Sequence, residues 1–214
     1  MPEIPIGGRG VDEQQGTLLV VDDNELNRDM LSRRLAKRGY EVMVAEDGYR
    51  ALEMIDEHDF DVILLDIMMP GLDGYEVLSR IREQYGPMDL PVIMATAKDE
   101  SKDIVRALEL GANDYVTKPF DFPVVRARVA TQVALKTTQQ KLSIALDRMK
   151  KNLDAAARIQ QSFLPSQDPG VEGFRFSWKY EPCDELAGDT LNIIPLDDNH
   201  VAVYVLDVSG HGVA

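Results

Sequence analysis

Short apolar runs and amphipathic stretches take turns along the first 120 residues. Leu18–Val21, Glu41–Ala45, Val62–Leu65, Val92–Ala95 and Asp114–Thr117 have the length and composition of strands. The intervals between them carry helical spacing. Glu25–Arg38 places Leu26, Met30, Leu31 and Leu35 on one predicted face, and Gly39 stops it. Gly48–Glu57 turns Ala51, Leu52 and Ile55 inward. Gly74–Tyr85 is a third helix, and Lys102–Leu110, stopped by Gly111, a fourth. Strictly alternating elements of this kind predict a doubly wound α/β domain: a parallel sheet with helices on both faces.

The pattern then changes. A helix starts near Phe122-Pro123, and neither Gly nor Pro interrupts Val124–Leu164. Leu135, Leu142, Met149, Ala156 and Phe163 recur every seven residues, with Gln139, Leu146, Leu153 and Gln160 four residues after the first four. That seam predicts a two-stranded parallel coiled coil, hence a homodimer, because so long an apolar stripe needs a partner. The competing reading is one amphipathic helix packed on its own domain. Glutamines at core positions cost stability and fix register. Pro165 ends the helix, residues 166–173 read as loop, and strands are expected at Phe174–Tyr180, Thr190–Pro195 and His200–Asp207. The predicted organisation is a disordered lead-in at 1–16, a doubly wound domain at 17–122, a helical linker at 123–164 and the start of an α+β domain at 165–214.

Charge narrows the partners. The 214 residues carry a formal net charge of −14, which repels nucleic acid phosphates and argues against direct DNA binding. No basic patch or helix-turn-helix pattern follows the first domain, so a transcription factor is disfavoured. The single cysteine, Cys183, allows no internal disulfide and points to a reducing, cytoplasmic compartment. No apolar run approaches the ~18 residues that span a membrane, and the N-terminus lacks the pattern of a signal peptide.

Chemistry concentrates where the predicted strands end. Asp22-Asp23 follows the first strand, Asp66 closes the third, Thr96 the fourth, and Lys118 follows the fifth. Open parallel sheets bind ligands at the carboxyl ends of their strands, so three carboxylates, a hydroxyl and an ammonium converge on one edge. Paired carboxylates ask for a hard divalent cation. Each position also has a plainer reading. Asp22 or Asn24 would serve as a helix N-cap, Asp73-Gly74 as a turn, and Tyr115 as a core aromatic.

The motifs Val-Val-Asp-Asp-Asn at 20–24, Leu-Leu-Asp-Ile-Met-Met-Pro-Gly-Leu-Asp-Gly at 64–74, Ala-Thr-Ala at 95–97 and Asp-Tyr-Val-Thr-Lys-Pro-Phe at 114–120 resemble the receiver domain of two-component response regulators. The resemblance covers residues 17–130. It implies that a sensor histidine kinase phosphorylates Asp66. Asp23, Asp66 and the Met68 carbonyl would bind Mg2+ directly, with Asp22 acting mainly through water. Lys118 would pair with the phosphoryl group, Thr96 would hydrogen-bond it, and Tyr115 would be the mobile aromatic that follows Thr96 inward. Pro119 matches a proline often preceded by a cis bond.

A second resemblance lies at 155–214. Ala155–Pro165, Asp184-Glu185-Leu186-Ala187-Gly188-Asp189 and Leu206-Asp207-Val208-Ser209-Gly210-His211-Gly212 look like the opening of a PPM-type serine/threonine phosphatase, of the subgroup that resets partner-switching regulators of sigma factors. It implies a binuclear Mg2+ or Mn2+ site that turns water into hydroxide, with Asp189, Asp207 and the Val208 carbonyl among its ligands. Two departures weaken it. Asn192 stands where many relatives have an acidic residue, and the remaining ligand aspartates belong downstream of Ala214. The sequence is therefore expected to be a fragment whose phosphatase site is incomplete. Together the resemblances imply a phosphorylation-gated phosphatase acting on a phosphoprotein such as an anti-anti-sigma factor. The alternative is a receiver-gated adaptor with a degenerate phosphatase-like domain.

Overall fold

The computed structural model describes residues 15–97, 101–165, 173, 175–180, 189–197 and 200–207. Two compact units part between Gln140 and Lys141.

From β1 to α5 the elements alternate as expected: β1 Thr17–Val21, α1 Glu25–Ala36, β2 Glu41–Ala45, α2 Gly48–Glu57, β3 Val62–Asp66, α3 Gly74–Gln84, β4 Val92–Ala97, α4 Ser101–Glu109, β5 Asp114–Lys118 and α5 Phe122–Ser162, the last continuing past Gln140. The strands form one parallel sheet in the order β2-β1-β3-β4-β5. The chain winds outward from β1 to β2, then returns to β3 and winds the other way. The crevice between the ends of β1 and β3 is thus the switch point where such sheets bind ligands.

Side chains alternate between the two faces of each strand. Leu19, Ile63, Leu65 and Met94 pack with Ala51, Met54 and Ile55 of α2, Val77, Leu78 and Ile81 of α3, and Ala107 of α4. Leu18, Val20, Leu64, Ile93 and Val116 pack with Leu31 and Leu35 of α1 and Val125 and Val129 of α5. β3 is buried along its whole length, Asp66 included. Asn24 caps α1, Asp47 caps α2, and Asp73 forms a reciprocal capping box with Glu76 at α3. A side-chain carbon on Gly74 would lie 2.2 Å from the Asp66 carbonyl oxygen. Only glycine lets α3 begin this close to the strand end.

One expected face is corrected. Leu26 is 78% exposed, whereas Leu31 and Leu35 are buried. The inward row of α1 runs at four-residue spacing through Asn27, Leu31 and Leu35, so a polar residue holds its first place.

α5 has 41 residues, about 60 Å at 1.5 Å per residue. Its first turns are tied to the sheet by Val125 and Val129, by an Arg128–Asp114 ion pair, and by Lys136, whose Nζ donates to the Phe60 carbonyl at 2.6 Å. Farther along, Leu142, Leu146 and Met149 of the predicted seam are more than half exposed.

In the second unit β6 Thr190–Asp197 and β7 His200–Leu206 pair antiparallel. The third predicted strand is absent: residues 175–180 hold no regular structure, because β6 and β7 pair only with each other among the described residues. Phe174 and residues 1–14 lie outside the described residues. No described helix is long and apolar enough to cross a membrane.

Candidate functional site

Asp22, Asp23 and Asp66 meet at the β1/β3 crevice, and one carboxylate oxygen from each lies within 4.8 Å of the others. Their environments differ. Asp22 and Asp66 are 1% and 2% exposed, whereas Asp23 is open to solvent. Lys118 reaches across from β5. Its Nζ donates to Asp66 Oδ2 at 2.6 Å and lies 2.8 Å from Asp22 Oδ2. Asp66 Oδ1 also accepts from the Met68 backbone N–H at 3.3 Å.

The electrostatics follow from burial and that single cation. Desolvation raises the Asp66 pKa above the ordinary carboxylate range, the neighbouring Asp22 adds to the rise, and Lys118 opposes it. Burial alone would lower the Lys118 pKa, but its bonds to Asp22 and Asp66 outweigh that and hold it above the ordinary lysine value. Lys118 therefore stays an ammonium, and the pocket remains short of positive charge. Hard anionic oxygens gathered so closely fit Mg2+, whose ligands sit at about 2.0–2.1 Å and need not all come from protein. An open cavity of about 610 Å3 borders Asp23 and is lined further by Met68, Met69, Asp73, Tyr75 and Arg106.

Thr96 is buried on β4, with Ala95 beside Asp66 in the sheet register. Tyr115 is half-buried on β5, and the Arg128 guanidinium lies 5.4 Å from its ring centroid. The Lys118-Pro119 bond is cis. Asp22 caps no helix; its carboxylate instead accepts from the Asn24 backbone N–H at 2.9 Å.

A match to the response regulator receiver domain spans residues 18–130. The chain belongs to that family. Among solved structures, the receiver resembles a Chloroflexus aurantiacus protein assigned as a response regulator, at 38% identity and a TM-score of 0.52, covering 56% of this chain and 98% of that one. It resembles the receiver domain of the Francisella response regulator 1452 at 34% identity and a TM-score of 0.52, over 56% and 97% of the two chains. NtrX from Brucella abortus, crystallised with ADP, matches at 30% identity and a TM-score of 0.53, covering 66% of this chain but 34% of its own. Receiver domains work with sensor histidine kinases, and this receiver keeps the acidic residues able to bind Mg2+.

Two residues of the receiver site were not singled out from the sequence. Asn27 Nδ2 donates to both oxygens of Asp22 at 3.1 Å. Arg28 Nη1 donates to the backbone carbonyls of Asp22 at 2.7 Å and Asp23 at 2.9 Å. The available signal was a polar residue on the otherwise apolar row of α1.

The second predicted cluster assembles in part. Asp189 precedes β6 and Asp207 follows β7, and Thr190 pairs with Leu206. The two carboxyl groups hydrogen-bond to each other, and that bond, then the charge of Asp207, raises the Asp189 pKa. Both are exposed. Val208 and His211 lie outside the described residues. Asn192 Oδ1 accepts from the Ile193 N–H at 2.8 Å.

Proposed function

We propose that this chain is a response regulator in which Asp66 takes a phosphoryl group from a histidine kinase and thereby controls a metal-dependent serine/threonine phosphatase. The observation that carries the receiver half is Lys118 held between Asp22 and Asp66, beside the exposed Asp23. An Asp66 oxygen attacks phosphorus, the phosphorus–nitrogen bond breaks, and the imidazole leaves with the electron pair. Asp23, Asp66 and the Met68 carbonyl would hold Mg2+, with Asp22 acting through water. Held there, it would supply positive charge against the phosphoryl oxygens. Lys118 pairs with the arriving phosphoryl group, Thr96 hydrogen-bonds it, and Tyr115 follows inward.

The output half rests on the sequence of 155–214 and on the meeting of Asp189 with Asp207. These two, with the Val208 carbonyl, supply ligands for Mg2+ or Mn2+, and the substrate is a phosphoprotein of the anti-anti-sigma type. The domains are a receiver at 17–122, a linker at 123–164 and phosphatase sequence from 165. The linker joins two copies through a parallel coiled coil, in keeping with the exposed Leu142, Leu146 and Met149. Asn192 supports a second reading, a receiver-gated adaptor without catalysis.

The test is a phosphatase assay on the natural full-length gene product, with Mn2+ or Mg2+ and with beryllofluoride standing in for phosphorylated Asp66. Turnover that responds to beryllofluoride and disappears in Asp207→Asn is the expected result. A folded, metal-loaded protein that never turns over a phosphoester, but still responds to beryllofluoride, would leave the adaptor.

A further inference from the structure

The acidic pair is held from behind by α1. We infer that Asn27 and Arg28 are positioning residues: Asn27 fixes Asp22 as a partner of Lys118, and Arg28 fixes the backbone that presents Asp23 to the cation. This rests on the reading of Asp22, Asp23 and Asp66 as a cation site.

Four contacts from three groups engage the Asp22 carboxylate. Oδ1 accepts from the Asn24 N–H and from Asn27 Nδ2, and Oδ2 faces Asn27 Nδ2 and Lys118 Nζ. A buried carboxylate with those partners has little left to offer a cation directly. Its charge remains, and it would reach a cation through water rather than by direct ligation. Asn27 can do this because helical side chains lean towards the N-terminus, here towards the end of β1. The same row carries Leu31 and Leu35 into the core, which anchors the helix that bears the amide.

Arg28 acts on the main chain. One guanidinium nitrogen draws the consecutive carbonyls of Asp22 and Asp23 towards α1. Asp23, whose side chain lines the open cavity, is thereby fixed at its backbone. The two residues divide the adjacent aspartates into a buried anion committed to Lys118 and an exposed one free for a ligand. Outer partners of this kind typically set metal affinity within about 10–100-fold.

Calorimetric titration of the whole chain with Mg2+ alone tests this, with thermal melts in metal-free buffer as the check on folding. Asn27→Ala and Arg28→Ala each weaken Mg2+ binding by about 10-fold or more, on the same principle. Arg28→Lys, which keeps a donor, recovers most of the loss. Asn24→Ala removes the side-chain cap of α1 but keeps the backbone N–H bonded to Asp22, so it leaves Mg2+ affinity unchanged. Wild-type affinity in folded Asn27→Ala and Arg28→Ala would overturn the inference. An equal loss in Asn24→Ala would overturn it too, by showing a general effect of α1. Wild-type affinity in Asp23→Asn would overturn the cation reading itself and this inference with it.

Discussion

Two carboxylate pairs in this chain solve the same problem differently. Asp22 and Asp66 are buried, and an ammonium sits between them. Asp189 and Asp207 are exposed, and they settle their repulsion by a hydrogen bond that favours keeping a proton. Each solution follows from its setting. Burial without a countercharge is prohibitive, so the receiver pair needs a built-in cation. A surface pair is solvated, so no built-in cation is needed there. The first site is organised before any ligand arrives. The second shows its two carboxylates among the described residues.

Lys118→Ala is the most direct way to break this contrast. It leaves Asp22 and Asp66 facing each other in the core and turns the receiver pair into a pair of the hairpin kind. Removing one partner of a buried ion pair costs about 3–5 kcal/mol, and the lower end applies because Lys118 is a quarter exposed. Asp66, already raised, moves further up. A folded-state pKa above the unfolded one gives stability that is present at acid pH and lost as pH rises through it. Urea melts should therefore show a loss at neutral pH that shrinks on acidification.

The second pair offers a subtler test. The carboxyl of Asp189, followed by carbon NMR, should titrate above the ordinary aspartate range and return to it in Asp207→Ala. By the same sign, any stability from this pair is present at acid pH and fades as pH rises through the raised value. Added Mn2+ should lower the midpoint in the wild type, because the metal competes with the proton. The smallest effect is expected at the ion pair that ties α5 to β5. Arg128→Ala should cost no more than ~1 kcal/mol, since the guanidinium is substantially exposed. A much larger loss would show that the tie between α5 and the sheet outweighs its exposed geometry.

Much of the receiver was legible because its signals are local. An apolar run of strand length that stops at a carboxylate fixes both the strand and the end on which the acid sits, as Val62–Asp66 shows. The order of four such runs then predicts the convergence of Asp22, Asp66, Thr96 and Lys118. Asn27 was hidden because hydrophobicity alone put Leu26 at the head of a face that Met30, Leu31 and Leu35 do form. Leu26 is apolar but faces solvent, while Asn27 is polar and turns inward because a buried carboxylate awaits it. The strand expected at Phe174–Tyr180 failed differently. Its composition suits a sheet, but a strand requires a neighbour, and no pairing partner is present among the described residues.

Gly74 gives the receiver a direction. Its bare α-carbon lets the first turn of α3 rest against the backbone of Asp66. That contact leaves no slack on one flank of Asp66, like an abutment behind a spring. A displacement of the Asp66 backbone towards α3 would therefore meet a steric stop at once. One wall of the strand end is thus set by a methyl group that is not there.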